Sequence, residues 1–273
     1  MTGRIFAVAL LAGLAAGLVI SVVQEFTTTP IILHAEEFEA KGGHAAFERE
    51  FRNPKIGGYA SIDLVNRGLS TQKGTAFRVS NVGLHLVHSD EKSGTGHSTE
   101  TETWAPDDGL ERLLFTTLAN ILTAIGFALL LTAVLFLRDQ PVTGRTGVLW
   151  GLAGFCIVSL APSLGLPPEV PGVIAAEVSG RQAWWAFASL STACGLWMMV
   201  FGSKNWMPVL GIALLVLPHA VGAPHPDQIG GTVPPELAAH FATASLVTAA
   251  VFWACLGWSV GFLANRLGLI QKA

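Results

Sequence analysis

The chain is short of charge. Only 13% of its 273 residues are Asp, Glu, Lys or Arg, while 51% are hydrophobic. Soluble domains carry nearer a quarter charged residues, so an ordinary soluble fold is excluded. Cysteine is scarce as well: Cys156, Cys194 and Cys255 stand singly in apolar runs without CxxC spacing. That removes a disulfide framework and a zinc knuckle, and leaves them as small packing residues. A net charge of −3 with no basic stripe gives no surface for nucleic acid. The sequence has no GxxxxGK[ST] phosphate loop, so it does not drive anything through a P-loop ATPase of its own. HExxH and GxSxG are missing too, which argues against the commonest metalloprotease and serine hydrolase designs.

What the chain has is apolar length. Ile5–Val23, Phe115–Leu137, Gly147–Ala161, Trp184–Phe201, Met207–Val221 and Phe241–Ala264 are apolar windows, several near the ~20 residues that cross about 30 Å of hydrocarbon. Arg4 flanks the first as in a signal peptide, but the run is long and lacks a small-x-small cleavage site, so it reads as a retained span. The expected fold is therefore an all-α polytopic membrane protein. It is a bundle of six transmembrane helices, or five if one of the two short windows (the third and fifth) does not cross. The first span covers residues 1–23, an extracytoplasmic loop 24–112, and a five-span membrane bundle 113–273.

Charge orients the bundle. Arg4, Arg138 with Arg145, Lys204, and Arg266 with Lys272 fall on alternate connections and at both ends, which the positive-inside rule assigns to the cytoplasm. The other connections hold most of the acids, including fourteen Asp or Glu against nine Lys or Arg in residues 24–112. Arg181 is the basic exception there. Six spans with both termini cytoplasmic satisfy this pattern, whereas five would separate the termini. The large loop is then outside, as a small cap. Its start, QEFTTTPIILHAEEFEAKGGHAAFEREF, predicts a short amphipathic helix, and GGYASIDLVNRGLSTQKGTAFRVS a hairpin.

On this topology all eight histidines sit on or near the outer face. His34, His44, His85, His88 and His97 lie in the loop, His219 and His225 in LPHAVGAPHPD, and His240 near the start of the last window. Imidazole suits cobalt, nickel, zinc and copper. HLVHSDEKSGTGHSTETE sets His85, His88 and His97 among acids, as capture of divalent cations requires; the bland reading is a solvated loop, because HxxH alone has no fixed ligand spacing. His219, at the end of the fifth window, is a candidate ligand, or else a histidine bonding a freed carbonyl. His225 and Asp227 follow a stiff turn and are candidates beside it.

The stretch APSLGLPPEVPG, residues 161–172, cannot continue a helix, because each proline removes a donor and disfavours helix before it. Broken backbone at membrane depth is tolerated where it lines protein or water, so Glu169 is a candidate cation site; a plain hairpin turn is the alternative. Glu236, in the similar VPPEL, reads as helix-start chemistry. Glu177 and Arg181 are four apart and are expected to pair locally, and RQAWW reads as an interfacial anchor. Asn120, inside the second window, needs an interhelical partner. Gly13 with Gly17, and Gly257 with Gly261, predict close helix contacts.

Together TPIILHAEEFE, WAPDDGLERLLFTTLAN, GLAGFCIVSLAPSLGLPPEVPG, RQAWW and LPHAVGAPHP resemble the CbtA family of predicted cobalt transporter subunits. The resemblance implies a bacterial inner-membrane protein associated with cobalamin biosynthesis, and a small CbtB-like partner with one span and a histidine-rich end. It maps the family's loop histidines onto His85, His88 and His97, its GLPPE motif onto Glu169 and its PHxxGAP motif onto His219. The family is usually described with five spans, and residues 49–84 look additional here. The expected function is uptake of a divalent transition metal as cargo, Co²⁺ first and Ni²⁺ by the same ligands, with no resident cofactor. A non-transporting metal-binding or assembly subunit is the alternative from another class. A membrane-embedded metalloenzyme is a third, disfavoured because histidines spread over a loop do not make one convergent site.

Overall fold

The computed structural model describes residues 2–52, 106, 109–228 and 230–269, with backbone alone for 42–52. The chain divides into two compact units, Met1–His44 with Asp107–Ala273, and Ala45–Pro106. The expected hairpin and His85, His88 and His97 lie outside the described residues, as do all but the backbone of His44 and the additional stretch from residue 53 on.

The described residues are helical with no regular strand. Helix α1 is Thr2–Phe26, α2 Thr29–Arg52, α3 Leu110–Arg138, α4 Gly144–Ser163, α5 Val178–Phe201, α6 Met207–Val221 and α7 Pro235–Arg266. Five of these, α1, α3, α4, α5 and α7, are long and apolar enough to cross a membrane; the chain is a multi-pass membrane protein. Helix α6 occupies the expected window but has only 15 residues, about 22 Å at 1.5 Å per residue. Arg4 donates through Nη1 to the Gly268 carbonyl at 3.0 Å, so the start of α1 and the end of α7 share one end of the bundle. Helix α6 runs back along α5, Gly211 against Gly195 and His219 against Trp184, as a shorter apolar helix beside the five candidate spans.

Local chemistry sets the helix ends. Thr143 and Thr146 cap α4 reciprocally: the Thr143 hydroxyl accepts from the Thr146 amide, and the Thr146 hydroxyl from the Thr143 amide at 2.8 Å. Helix α3 stops at Asp139, which takes the left-handed conformation at φ 46°. As expected, Glu236 lies in the first turn of α7, behind Pro234 and Pro235.

Packing depends on missing side chains. A Cβ on Gly13 or Gly17 of α1 would come within 2.5 or 2.6 Å of the α3 backbone at Ile125 and Ile121. Gly257 and Gly261 of α7 meet α4 as closely, at the Gly147 carbonyl (2.3 Å) and the Thr143 carbonyl (2.4 Å). Helix α4 brings its own glycines to that seam, Gly147 and Gly151, a third GxxxG pattern. Gly195 of α5 and Gly211 of α6 face each other's carbonyls at 2.6 Å. Lipid tails are as apolar as leucine, so helices associate through such close van der Waals contact rather than by hiding from water. The core follows: Val8, Ala12, Ala124, Ala128, Leu256 and Val260 are fully buried where α1, α3 and α7 meet. Asn120 donates to Ser21 Oγ (3.0 Å) and Gln24 Oε1 (2.6 Å), the interhelical bonding its position predicts.

The two ends differ in charge. Arg4, Arg138, Arg145, Lys204 and Arg266 lie at the end that holds the start of α1. The opposite end holds His34, His219, His225 and His240, with Glu36, Glu169, Glu177 and Glu236 among its acids. Helix α2, the expected amphipathic helix, is tied to α3 by Glu36 and Arg112, 2.6 Å apart. Its Ile31 and Ala35 are buried against Val170 and Val233.

Candidate functional site

The site begins with a defect in α4. Residues Cys156–Leu160 form a π-helical segment just before Pro162. Proline has no N–H for the carbonyl four residues back, which is that of Val158. The Trp185 indole of α5 donates to that oxygen instead, at 3.2 Å. The chain then leaves the helix at Leu164, turns through Gly165 and Leu166, whose amides both donate to the Pro162 carbonyl, and runs on without regular structure through PPE.

Both proline breaks pack on the first turns of α5. Gly165 lies against the Trp184 ring and Ala223; a Cβ there would sit 2.4 Å from the ring and 2.9 Å from the alanine methyl. The Trp184 and His219 rings meet edge to face, 5.9 Å between centroids. Trp184 is only 6% exposed and its indole N–H is buried without a partner, so it is a core residue between the breaks rather than an interfacial anchor. Further along, Gly172 turns with φ 84°, and Val173 pairs with Gly231 in an isolated antiparallel bridge. Thus PPEVPG and TVPPEL lie side by side, with Val170 and Val233 buried under α2.

The electrostatics differ from the local pairing expected. The Arg181 guanidinium pairs not with the Glu177 carboxylate but with Glu169, its Nη2 2.8 Å from Glu169 Oε2; Arg181 meets Glu177 only through the backbone, its amide donating to the Glu177 carbonyl at 3.1 Å. Glu177 caps α5, accepting from the Ser179 hydroxyl and from the amides of Ser179 (3.0 Å) and Gly180 (2.9 Å). The bond from the Ser179 hydroxyl, then those from the two amides, hold its carboxyl below the usual glutamate range. A carboxylate engaged by three donors around a helix start has little geometry left for an arginine one turn on.

Two cavities adjoin this region. The first, about 660 Å³ between α4, α5 and α7, is bordered by Ser159, Ser163, Arg181, Gln182 and Ser245. The second, about 300 Å³, lies between α1, α3 and α7 and is bordered by Gln24, Thr28, Asn120, Thr123, Ser245 and Thr248. Ser245 and Ala249 belong to both walls. Thr27 and Thr248 exchange a hydrogen bond of 3.1 Å at the second. Hydroxyls and amides, with Arg181 as the charged group, thus dot two otherwise largely apolar cavities that share Ser245 and Ala249 in the histidine-bearing half of the bundle. Charge and apolar count did not reveal them, because their neutral residues are scattered over three windows.

The candidate ligands are brought together only in part. His219 is half-buried beside Trp184, Glu169 is half-buried on Arg181, and His225 and Asp227 are exposed on the connection after α6. Among the described residues, no three His, Cys, Asp or Glu side chains converge as a metal site would require.

The CbtA family model, described as Probable cobalt transporter subunit (CbtA), matches residues 2–265 of the chain. No curated protein and no solved structure matches it. With nearly the whole length matched, and the apolar helices that such a transporter requires in place, the protein belongs to the CbtA family of probable cobalt transporter subunits.

Proposed function

We propose that the protein carries a divalent transition metal, cobalt first, inward across a bacterial inner membrane to supply cobalamin synthesis. The histidine-bearing end faces outside, and both termini face the cytoplasm. His85, His88 and His97 capture the ion, and Glu169, His219, His225 and Asp227 receive it at the proline breaks. A small histidine-rich single-span subunit completes the transporter. The observation that carries this reading is the pair of cavities that share Ser245 and set hydroxyls and amides beside Glu169–Arg181 in the outer half of the bundle. A bare charge at mid-bilayer costs about 2.5–3.5 kcal/mol on insertion scales, and the hydroxyls and amides of these cavities would replace part of the ion's hydration. The positive-inside distribution supports the orientation, and the family supports the ion and the partner.

The test is cobalt accumulation, with nickel as control, in a deletion strain complemented at equal expression. His219→Ala combined with Glu169→Ala should depress accumulation severely, and Ser245→Leu should do so with the breaks intact. Wild-type accumulation in both sinks the route. One observation favours a second reading: His225 and Asp227 are exposed on the connection after α6, where a subunit that only presents metal to its partner would carry them. Cobalt influx into liposomes holding the purified chain alone excludes that second reading.

A further inference from the structure

At the basic end a third cavity of about 510 Å³ opens between α3, α4 and α5, reaching inward as far as Ile157. Its walls are largely apolar and aromatic. Trp150 of α4 stacks on Phe201 of α5 with centroids 5.8 Å apart, and Trp197 lies 4.7 Å from the same ring. The rim is open: Leu149 and Val200 are each 67% exposed, on faces that meet acyl chains in a bilayer. Over this aromatic ladder lies Arg138, the last residue of α3. Its guanidinium carbon is 3.9 Å from the Phe201 centroid and 5.7 Å from that of Trp197. Its Nε is buried without an acceptor, and among the described residues no acid borders the cavity.

A guanidinium fixed by cation–π contact still has donors that want an anion. Arg138 stands where a spanning helix ends, at headgroup depth, and the apolar groove runs inward from it. The bilayer supplies one class of molecule with that order of parts. We propose that this cavity is a binding site for a single anionic phospholipid. Its phosphate takes the free donors of Arg138, and one acyl chain lies along Trp150, Trp197 and Leu149. Basic pockets between transmembrane helices recognise lipid headgroups in this way, and a planar fork favours phosphate. Zwitterionic lipid carries the same phosphate but cancels its charge, so the site should prefer phosphatidylglycerol to phosphatidylcholine.

The experiment uses the full chain, delipidated in detergent and offered defined lipids, read by native mass spectrometry and thermal unfolding. Wild type should retain one phosphatidylglycerol per chain and gain thermal stability from it, holding phosphatidylcholine on the order of tenfold less firmly. Arg138→Gln should abolish the preference. Arg145→Gln, a cation at the same end but off the cavity wall, should leave it intact. Inorganic phosphate should give no stabilisation; if it reproduces the effect, the site takes a free ion and the proposal fails. It fails also if wild type holds the two lipids equally, if Arg138→Gln keeps the preference, or if an apolar peptide helix bearing an acid displaces the lipid and stabilises more. Should Arg138→Gln not fold, Arg138→Lys with Trp197→Ala decides: the first should keep the preference and the second should lose retention.

Discussion

Arg181 holds Glu169 at 2.8 Å across the proline break, and Glu177, four residues from that arginine, plays no part in the pair. The carboxylate proposed to receive the metal is thus already matched by the guanidinium of Arg181, in the first turn of α5. Glu169→Gln and Arg181→Gln should each lower stability by about 1 kcal/mol, with both side chains roughly a third exposed or less. Their transport effects should be opposite: Arg181→Gln frees the carboxylate and raises apparent cobalt affinity, whereas Glu169→Gln lowers it. Equal and parallel losses of uptake would show that the pair is scaffolding only.

The cap of α5 gives a pH dependence. Glu177 has a folded pKa below its ordinary value of 4.5, through the Ser179 hydroxyl first and the Ser179 and Gly180 amides next. A depressed carboxylate contributes stability that is complete above the unfolded value and is lost as pH falls through the folded one. Thermal unfolding of Glu177→Gln should therefore match wild type at low pH and fall behind above about pH 5. A constant gap at every pH would assign the loss to packing.

Two glycines make a controlled comparison. Gly151→Ala puts a methyl 2.0 Å from the Trp253 carbonyl, so α4 and α7 must separate; a loss of about 1–3 kcal/mol is expected. Gly126→Ala adds a methyl in open space within α3 and should be neutral or stabilising by up to about 1 kcal/mol. Detergent unfolding of the two variants side by side measures the difference. If both behave alike, close approach is not what joins these helices.

His219 separates packing from ligation. His219→Phe keeps a ring against Trp184 at the 5.9 Å contact but removes the nitrogens, whereas His219→Ala removes both. If His219 binds cobalt, both variants lose uptake while only the alanine loses stability. Uptake retained by phenylalanine would make the histidine an aromatic spacer.

The helices were legible because apolar length is a direct statement about hydrocarbon thickness. Asn120, Glu236 and the paired glycines of α1 and α7 were legible for similar reasons, each having one economical use. Gly147 and Gly151 carried the same signal as Gly257 and Gly261 but, at the beginning of a short window, were not singled out as a packing pair. The partner of Arg181 was not legible: spacing on a helix favoured Glu177, and only the cap geometry shows that its carboxylate is engaged elsewhere. The role of Trp184 was hidden likewise. Neighbouring tryptophans near a span end suggest a belt at the interface, but a helix points residues 184 and 185 some 100° apart, one inward and one out. The ligands expected at His85, His88 and His97 lie outside the described residues, so the capture step rests on sequence.

The indole of Trp185 does for the Val158 carbonyl what the missing N–H of Pro162 cannot. Those two positions should therefore be inherited together. Among related chains, a lineage that exchanges the proline for a residue with an amide hydrogen is free to lose the tryptophan. One that keeps the proline must keep an indole, or another donor of similar reach. Paired comparison across the family can look for that signature without a single transport assay.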